Sequence, residues 1–468
     1  MTEWETVIGL EVHAELATES KMFSPARNEF GGEPNTNIHP VCLGLPGTLP
    51  VVNAKAIELG IRVGLALNCS INRCVFARKN YFYPDMPKDY QISQYDLALN
   101  TDGFVDLPNG TRIRVERAHL EEDTGKSTHI GTTGRITGAD YSLVDYNRAG
   151  VPLLEIVSHP DLRNAEDAKS YVQEIRAALV AVGASDGKME EGSLRVDANV
   201  SVRPVGSDEL RTRCEVKNVN SLRSLGRAIV FESRRHVDLY ENGERPIQET
   251  RHWDEEAGRT QPGRSKEEAE DYRYFADPDL VVIDPAQDWV QEIRASLPKL
   301  PAQMRVDWTT DGADADLVET VIGRGLGTMA NEAIEQGADL NKALIHASNN
   351  IDPDDLGHLN AAALADVIKM ETAGALTSTQ AKTVLAELIE NGGSAQAIAS
   401  DKGFEAMDTS ELEGMLDQII ADNPDEWGRF CEGEAKLQGF FTGAIMKATR
   451  GQADGKVINQ LLAAKKAG

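Results

Sequence analysis

The stretch IGLEVHAEL, from Ile8 to Leu16, alternates with a two-residue period. On a strand, Ile8, Leu10, Val12, Ala14 and Leu16 share one face, and Glu11, His13 and Glu15 share the other. Two readings fit. A half-buried strand commonly has one apolar and one solvated charged face. Alternatively, residues two apart lie about 6.6 Å apart along a strand, close enough for Glu and His side chains to converge on one cation. That second reading requires further acidic residues from elsewhere in the chain.

Working outward, SLRVDANVSVRP (Ser193 to Pro204) repeats the alternation, with Leu194, Val196, Ala198, Val200 and Val202 on one face. Three stretches have helical spacing instead: Ala56 to Asn68, Ala165 to Gly183, and Ser221 to Tyr240 with Asn220 as N-cap. Strands, turns and a few helices continue to about Asp284, which predicts an α+β domain built on a mixed, mainly antiparallel sheet. The charged stretch from Trp253 to Phe275 is expected to be a mobile loop. After Pro285, Ala, Leu, Glu and Lys dominate with helical periodicity, so an all-α domain and a small helical tail domain are expected. IGRGLGT at Ile322 resembles a phosphate loop only superficially, because no strand precedes it.

The chain has 468 residues, enough for about two to four domains. Its formal net charge of −27 argues against indiscriminate coating of nucleic acid, which depends on Lys and Arg neutralising phosphates. Five scattered cysteines without a CxxC pair suit reduced thiols. No basic segment leads into an apolar one at the N-terminus, and no run of about 18 apolar residues occurs. A cytoplasmic protein without membrane contact is expected.

Four polar clusters can carry chemistry. RAHLEEDTGKSTH contains Glu121, Glu122, Asp123 and Lys126. YSLVDYNRAGVPLLEIVSHP embeds Asp145, Asn147, Arg148 and Glu155 in an apolar context, where a charge is costly unless paired or bound to metal. KMEEGSLRVDAN carries Glu190 and Glu191, and RKNYFYPDMPKDYQISQYD interleaves basic residues with five aromatics. Singly, each also reads as a turn, a structural ion pair or core. Together, Glu11, His13, Glu121 or Glu122, and Glu155 supply the hard ligands that magnesium with bound phosphates prefers.

These blocks, with ETVIGLEVHAEL, DYRYFADPDL and the C-terminal GFFTGAIMKATRGQADGKVINQLL, closely resemble the B-subunit family of the aspartyl/glutamyl-tRNA(Asn/Gln) amidotransferases, in family order. The resemblance implies a cradle-like kinase and transamidase domain over residues 1–290, a helical domain over 291–400 and a tRNA-contacting helical tail over 401–468. It implies a complex with an amidase-type glutaminase subunit and a small third subunit. In that complex ATP phosphorylates the side-chain carboxylate of misacylated Glu-tRNA(Gln) or Asp-tRNA(Asn), and ammonia displaces the phosphate. By the same resemblance Glu11, His13, Glu122 and Glu155 are catalytic and hold Mg²⁺, with Glu121 the alternative if the register is off by one. Lys79, Lys188 and Arg195 are implied to meet ATP or the tRNA end.

Two departures stand out. Many family members carry a zinc clasp, a CxC pair followed by CPxC. Here Ser24 and Ala26 replace the first pair and His39 the third cysteine, leaving too few ligands with Cys42 for a tetrahedral site. No zinc is expected. The segment from Asp307 to Asn350 is short and divergent. Basic residues Lys447, Arg450, Lys456, Lys465 and Lys466 gather at the C-terminus, which suits a tRNA backbone. A non-catalytic tRNA-binding scaffold and a metal-dependent hydrolase are the competing readings. The acidic set argues against the first, and the lack of a nucleophile elbow or HExxH motif against the second.

Overall fold

IGLEVHAEL lies within strand β1 (Trp4–Glu15), whose alternate residues Ile8, Leu10, Val12 and Ala14 are buried. The computed structural model describes residues 2–131, 138–265, 272–404, 409–449, 453 and 455–467. The chain divides into two units, Met1–Gln303 and Met304–Gly468.

In the first unit β1 is followed by α1 (Ala54–Ala66), β2 (Ser70–Ile71), β3 (Ala77–Asn80), β4 (Tyr90–Ser93) and β5 (Asn100–Asp106). Next come β6 (Arg112–Glu122), β7 (Lys126–Gly131), β8 (Ala139–Asp145), β9 (Pro152–Ser158) and α2 (Ala165–Ala181). The unit continues through β10 (Leu194–Pro204), β11 (Cys214–Val219), α3 (Leu222–Glu241), β12 (Glu249–Asp254), β13 (Arg259–Ser265), β14 (Phe275–Ala276) and α4 (Gln287–Ala295).

Nine strands form one sheet in the order β13-β12-β11-β10-β1-β9-β6-β5-β2, with β1 at its centre. Every neighbouring pair is antiparallel except β11 and β12. Helices α1, α2 and α3 pack on one face and cover the apolar residues of β1, β6, β9 and β10 in a single core. The opposite face carries the odd-numbered residues of β1, and there the polar residues collect. That division is the direct consequence of the two-residue period.

The N-cap of α3 is Ser221 rather than Asn220. Its hydroxyl accepts from the Ser224 amide at 3.1 Å, the reach an N-cap needs. The expected loop after Trp253 is in part the β12–β13 hairpin. Trp253 is 2% exposed and packs edge-on to Phe231, so an apolar anchor within the charged stretch fixes the turn. Residues 266–271 of that stretch lie outside the described residues.

The remaining elements are helical: α5 (Pro301–Thr310), α6 (Ala315–Gly323), α7 (Gly327–Glu335), α8 (Leu340–Asn349), α9 (Ala361–Thr372), α10 (Ser378–Asn391) and α11 (Ala395–Asp401). They are followed by α12 (Thr409–Asp422), α13 (Pro424–Cys431), α14 (Lys436–Ala448) and α15 (Gly455–Ala467). IGRGLGT joins α6 to α7, helix to helix, as its sequence context implies. The last four helices share a core that includes Leu416, Phe441, Ile445, Ile458 and Leu462. No helix among the described residues is long and apolar enough to cross a membrane.

Candidate active site

The register of four central strands builds the site. Across β6, β9, β1 and β10, His119 pairs with Glu155, Glu155 with His13, and His13 with Arg195. Side chains directly opposite on one sheet face lie about 5 Å apart, so this rung brings two imidazoles and a carboxylate into contact. The Glu155 Oε2 is 3.5 Å from His13 Nε2 and 3.4 Å from His119 Nε2. Glu121, two residues beyond His119, reaches the same group, 4.0 Å from His13 and 3.9 Å from His119. Ligand atoms of His13, Glu121 and Glu155 all lie within 4.8 Å of one another.

The electrostatics show what this crowding does. Burial and then the Glu155 charge push the Glu121 carboxyl up. Burial would likewise raise Glu155, but the charge and hydrogen bond of His119, together with His13, hold it well below the usual carboxylate range. Burial alone would lower the His13 imidazolium, whereas its hydrogen bond to Glu155 and the surrounding acids push it up to about 9. His119 Nδ1 is buried with no hydrogen-bond partner. Two hard oxygen donors and an imidazole nitrogen fit a magnesium-class cation, which would relieve the repulsion between the two acids.

A second acidic group sits beside the first, one strand step along β1. Oxygens of Glu11, Asp197 and Glu215 are within 4.8 Å of one another, and Asn199 donates to Glu11 at 2.9 Å. Here a cation is built in: Lys217 Nζ lies 2.5 Å from Asp197 and 3.0 Å from Glu215. The sheet face opens into a cavity of about 270 Å³ whose lining includes His13, Glu121, Lys79, Arg195, Asp197 and Lys217. Arg195 is steadied by Asp123 at 2.6 Å, and Lys79 lies over the Tyr272 ring, 4.6 Å from its centroid. Tyr274 stacks on Tyr95 at 4.2 Å. Burial, then the charges of Glu121 and Glu155, raise the Tyr274 phenol.

The structure therefore assembles His13, Lys79 and Arg195 around one cavity, with Glu155 in contact with His13 behind its lining and Glu11 in the adjoining acidic group. It does not bring Glu122 there. Glu122 has the register of Ala118 and Leu120 and turns to the opposite side of β6, where it pairs with buried Lys88 and accepts from the Ile92 amide at 2.9 Å. Glu121, the alternative register, is the residue that meets His13 and Glu155. Lys188 is also separate: it stands on the turn before β10 with its ammonium 3.0 Å from Glu191. At the positions of the zinc clasp, Ser24 Oγ and Cys42 Sγ are 3.1 Å apart, while His39 Nδ1 accepts from the Val41 amide at 3.2 Å. Sequence reasoning misses His119, Asp197, Glu215 and Lys217. Strict alternation in RAHLEE, RVDAN and CEVKN is the signal that points to them.

The GatB/GatE catalytic domain family model matches residues 6–291, and a second model, described as a GatB domain, matches residues 328–465. The chain belongs to the GatB/GatE family. Proteins named as the B subunit of the aspartyl/glutamyl-tRNA(Asn/Gln) amidotransferase are similar to it throughout. The Corynebacterium glutamicum (strain R) protein is 46% identical over 489 residues, covering 99% of this chain and 97% of its own length. The Thermodesulfovibrio yellowstonii protein is 44% identical over 480 residues, 98% of each chain. That of Thermobifida fusca is 45% identical over 497 residues, covering 98% of this chain and 93% of its own. All the cavity and acidic-group residues named above fall within the GatB/GatE catalytic match.

Buried behind the sheet, a third group joins Cys214, Glu232 and His236. There Glu232 accepts from Arg235 at 2.5 Å, His236 at 3.1 Å and Thr260 at 2.8 Å. Burial would raise its carboxyl, but the His236 and Arg235 hydrogen bonds bring it down to about 2.

Proposed function

We propose that the chain is the kinase and transamidase component of a glutamine-dependent tRNA amidotransferase, a carbon–nitrogen ligase of the cytoplasm. One observation carries the reading: a single cavity is lined by His13 and Glu121, which with Glu155 form a candidate cation-binding group, and by the basic residues Lys79 and Arg195. A magnesium–nucleotide phosphate needs both sides. A carboxylate resists ammonia because its oxygen leaves poorly, so it is first converted to an acyl phosphate at the expense of ATP.

His13, Glu121 and Glu155 would hold Mg²⁺, and Glu11 stands in the adjoining acidic group. The ion supplies charge neutralisation for the phosphates. Arg195, fixed by Asp123, and Lys79 orient the phosphoryl oxygens. Tyr274 and Tyr95 offer a stacked aromatic surface, suited to a base of the nucleotide or of the tRNA end. Ammonia comes from a partner glutaminase of the amidase type, with a small third subunit completing the complex, and the substrates are Glu-tRNA(Gln), Asp-tRNA(Asn) or both. No zinc belongs to the Ser24 to Cys42 segment.

The tail reading is narrowed by geometry. Lys465 is taken up by Glu413 and Asp417 at 3.0 and 2.7 Å, and Lys466 lies over the Phe430 ring, so any tRNA contact there falls chiefly to residues such as exposed Lys447. Arg450 and the side chain of Lys456 lie outside the described residues. The test is ATP- and glutamine-dependent conversion of labelled Glu-tRNA(Gln) and Asp-tRNA(Asn) by the chain co-expressed with its partner subunits. Amide product that disappears in Glu155→Gln is expected. Product formation indifferent to Glu155 would favour the scaffold reading.

A further inference from the structure

On the helix side of the sheet, away from the cleft, α2 and α3 border an open groove of about 990 Å³. Gly226 of α3 lets the two helices come close: a Cβ there would meet the Lys169 side chain at 3.3 Å and Ala165 at 3.9 Å. Leu222, Phe231 and buried Trp253 give the groove an apolar lining. Val230 belongs to the same lining and is 60% exposed.

The charge of the groove runs against that of the chain. Arg223, Arg227, Val230 and Arg234 follow one another at intervals of four, three and four residues, which makes one stripe about 16 Å long on α3. With Lys169 from α2, a chain of formal net charge −27 sets four cations along a single groove. Two of them are already paired. Lys169 meets Glu166 at 2.7 Å, and Arg227 meets Glu255 at 2.5 Å while its guanidinium lies over the Trp253 ring. Arg223 and Arg234 are exposed and form no ion pair among the described residues.

We propose that this groove seats an acidic amphipathic helix of a companion subunit, its apolar side chains on Leu222, Val230 and Phe231 and its carboxylates against Arg223 and Arg234. The proposal rests on reading the chain as one component of a multisubunit enzyme. A helix docked in a groove presents apolar anchors at i, i+3 or i+4 and i+7, and a stripe of about 16 Å matches roughly three of its turns. Unpaired arginines at the rim steer an acidic partner and reject a basic one. Two observations favour polypeptide over nucleic acid. Glu166 and Glu255, with side chains 81% and 56% exposed, stand beside two of the four cations and repel phosphate. An exposed valine in the middle of the arginine stripe gives a phosphodiester nothing to bind, whereas it gives an apolar side chain a contact.

The test combines a crosslink with a charge reversal. The photoreactive residue p-benzoylphenylalanine is incorporated at Val230 of the full-length chain, which is co-expressed with the other subunits, and the purified complex is irradiated. A crosslink to a segment of another subunit in which Asp or Glu flank apolar anchors is expected by mass spectrometry. The double variant Arg223→Glu/Arg234→Glu, checked for an unchanged thermal transition, is expected to weaken assembly at least tenfold at low salt, with the difference shrinking as salt rises. An assembled, amide-forming complex that gives no crosslink from Val230 overturns the proposal and leaves the multisubunit reading standing. A crosslink to RNA or to a second copy of this chain does the same, and so does a folded double variant that assembles with unchanged affinity. A wild-type chain that associates with no other subunit overturns the multisubunit reading, and the proposal with it.

Discussion

Glu121 and Glu232 are both buried, 5% and 0% exposed, and lie on opposite sides of the same sheet. Glu232 is met by Arg235, His236, Thr260 and Arg251, and its carboxyl falls to about 2. Glu121 is met by Glu155, two histidines and the Ser93 hydroxyl, which donates at 3.2 Å, with no guanidinium or ammonium of its own in ion-pair range among the described residues, and its carboxyl is pushed up. Burial costs each of them similarly; the difference lies in what the fold supplies in return. A carboxylate given its own cation serves the fold. One left beside another carboxylate, with histidines that become metal ligands on losing a proton in place of Lys or Arg, can take a cation from outside, and such pairs mark functional sites.

The largest effect should separate the two at once. Glu121→Gln is expected to lower amide formation on the order of 10³-fold, as loss of a group that holds developing charge does, with thermal stability unchanged or raised because the crowding is relieved. Turnover rates and melting curves on the same preparations check it. Replacing Glu232 by Gln should do the reverse. Removing one partner of a buried ion pair costs about 3–5 kcal/mol, so denaturant unfolding is expected to show a loss of that order while turnover of the folded fraction survives. Glu122→Gln, which strands buried Lys88, belongs with Glu232 on this measure.

Acid titration sharpens the contrast. The folded-state pKa of Glu232 is depressed to about 2. The stability it supplies is therefore full above its unfolded value of about 4.3 and is lost as pH falls toward the folded value. The shift corresponds to about 3 kcal/mol, and Glu232→Gln should flatten that part of the wild-type stability profile. The smallest effect is expected at Lys188, whose ion pair with Glu191 lies at the surface. Pairs of that kind are worth at most about 1 kcal/mol, and Lys188→Ala should leave turnover within about twofold.

Much of this was legible in the sequence. The alternation of IGLEVHAEL gives the central strand and its two faces, and the same period in SLRVDANVSVRP gives its neighbour. Period alone cannot tell which strands lie next to each other, so His119 could be placed opposite Glu155 only once β6 was seen beside β9. Glu121 and Glu122 show the other limit. Adjacent residues on a strand face opposite ways, so a one-residue slip in register moves a candidate from the cleft to the far side of β6. Lys188 reads by its place in a block as a candidate to meet ATP or the tRNA end, yet in its turn the ammonium pairs with Glu191. The hairpin after Trp253 was hidden by charge: a single buried tryptophan in a polar stretch was the only apolar signal for it.

Conversion of labelled Glu-tRNA(Gln) and Asp-tRNA(Asn) by the assembled complex, comparing Glu121→Gln with Glu122→Gln below the melting temperature of both, tests the central claim most directly. The two substitutions are chemically identical and one residue apart. Amide formation abolished in Glu121→Gln and retained in Glu122→Gln is the expected result. Retained activity in Glu121→Gln with loss in a folded Glu122→Gln would contradict the account and move the cation site to the other side of β6.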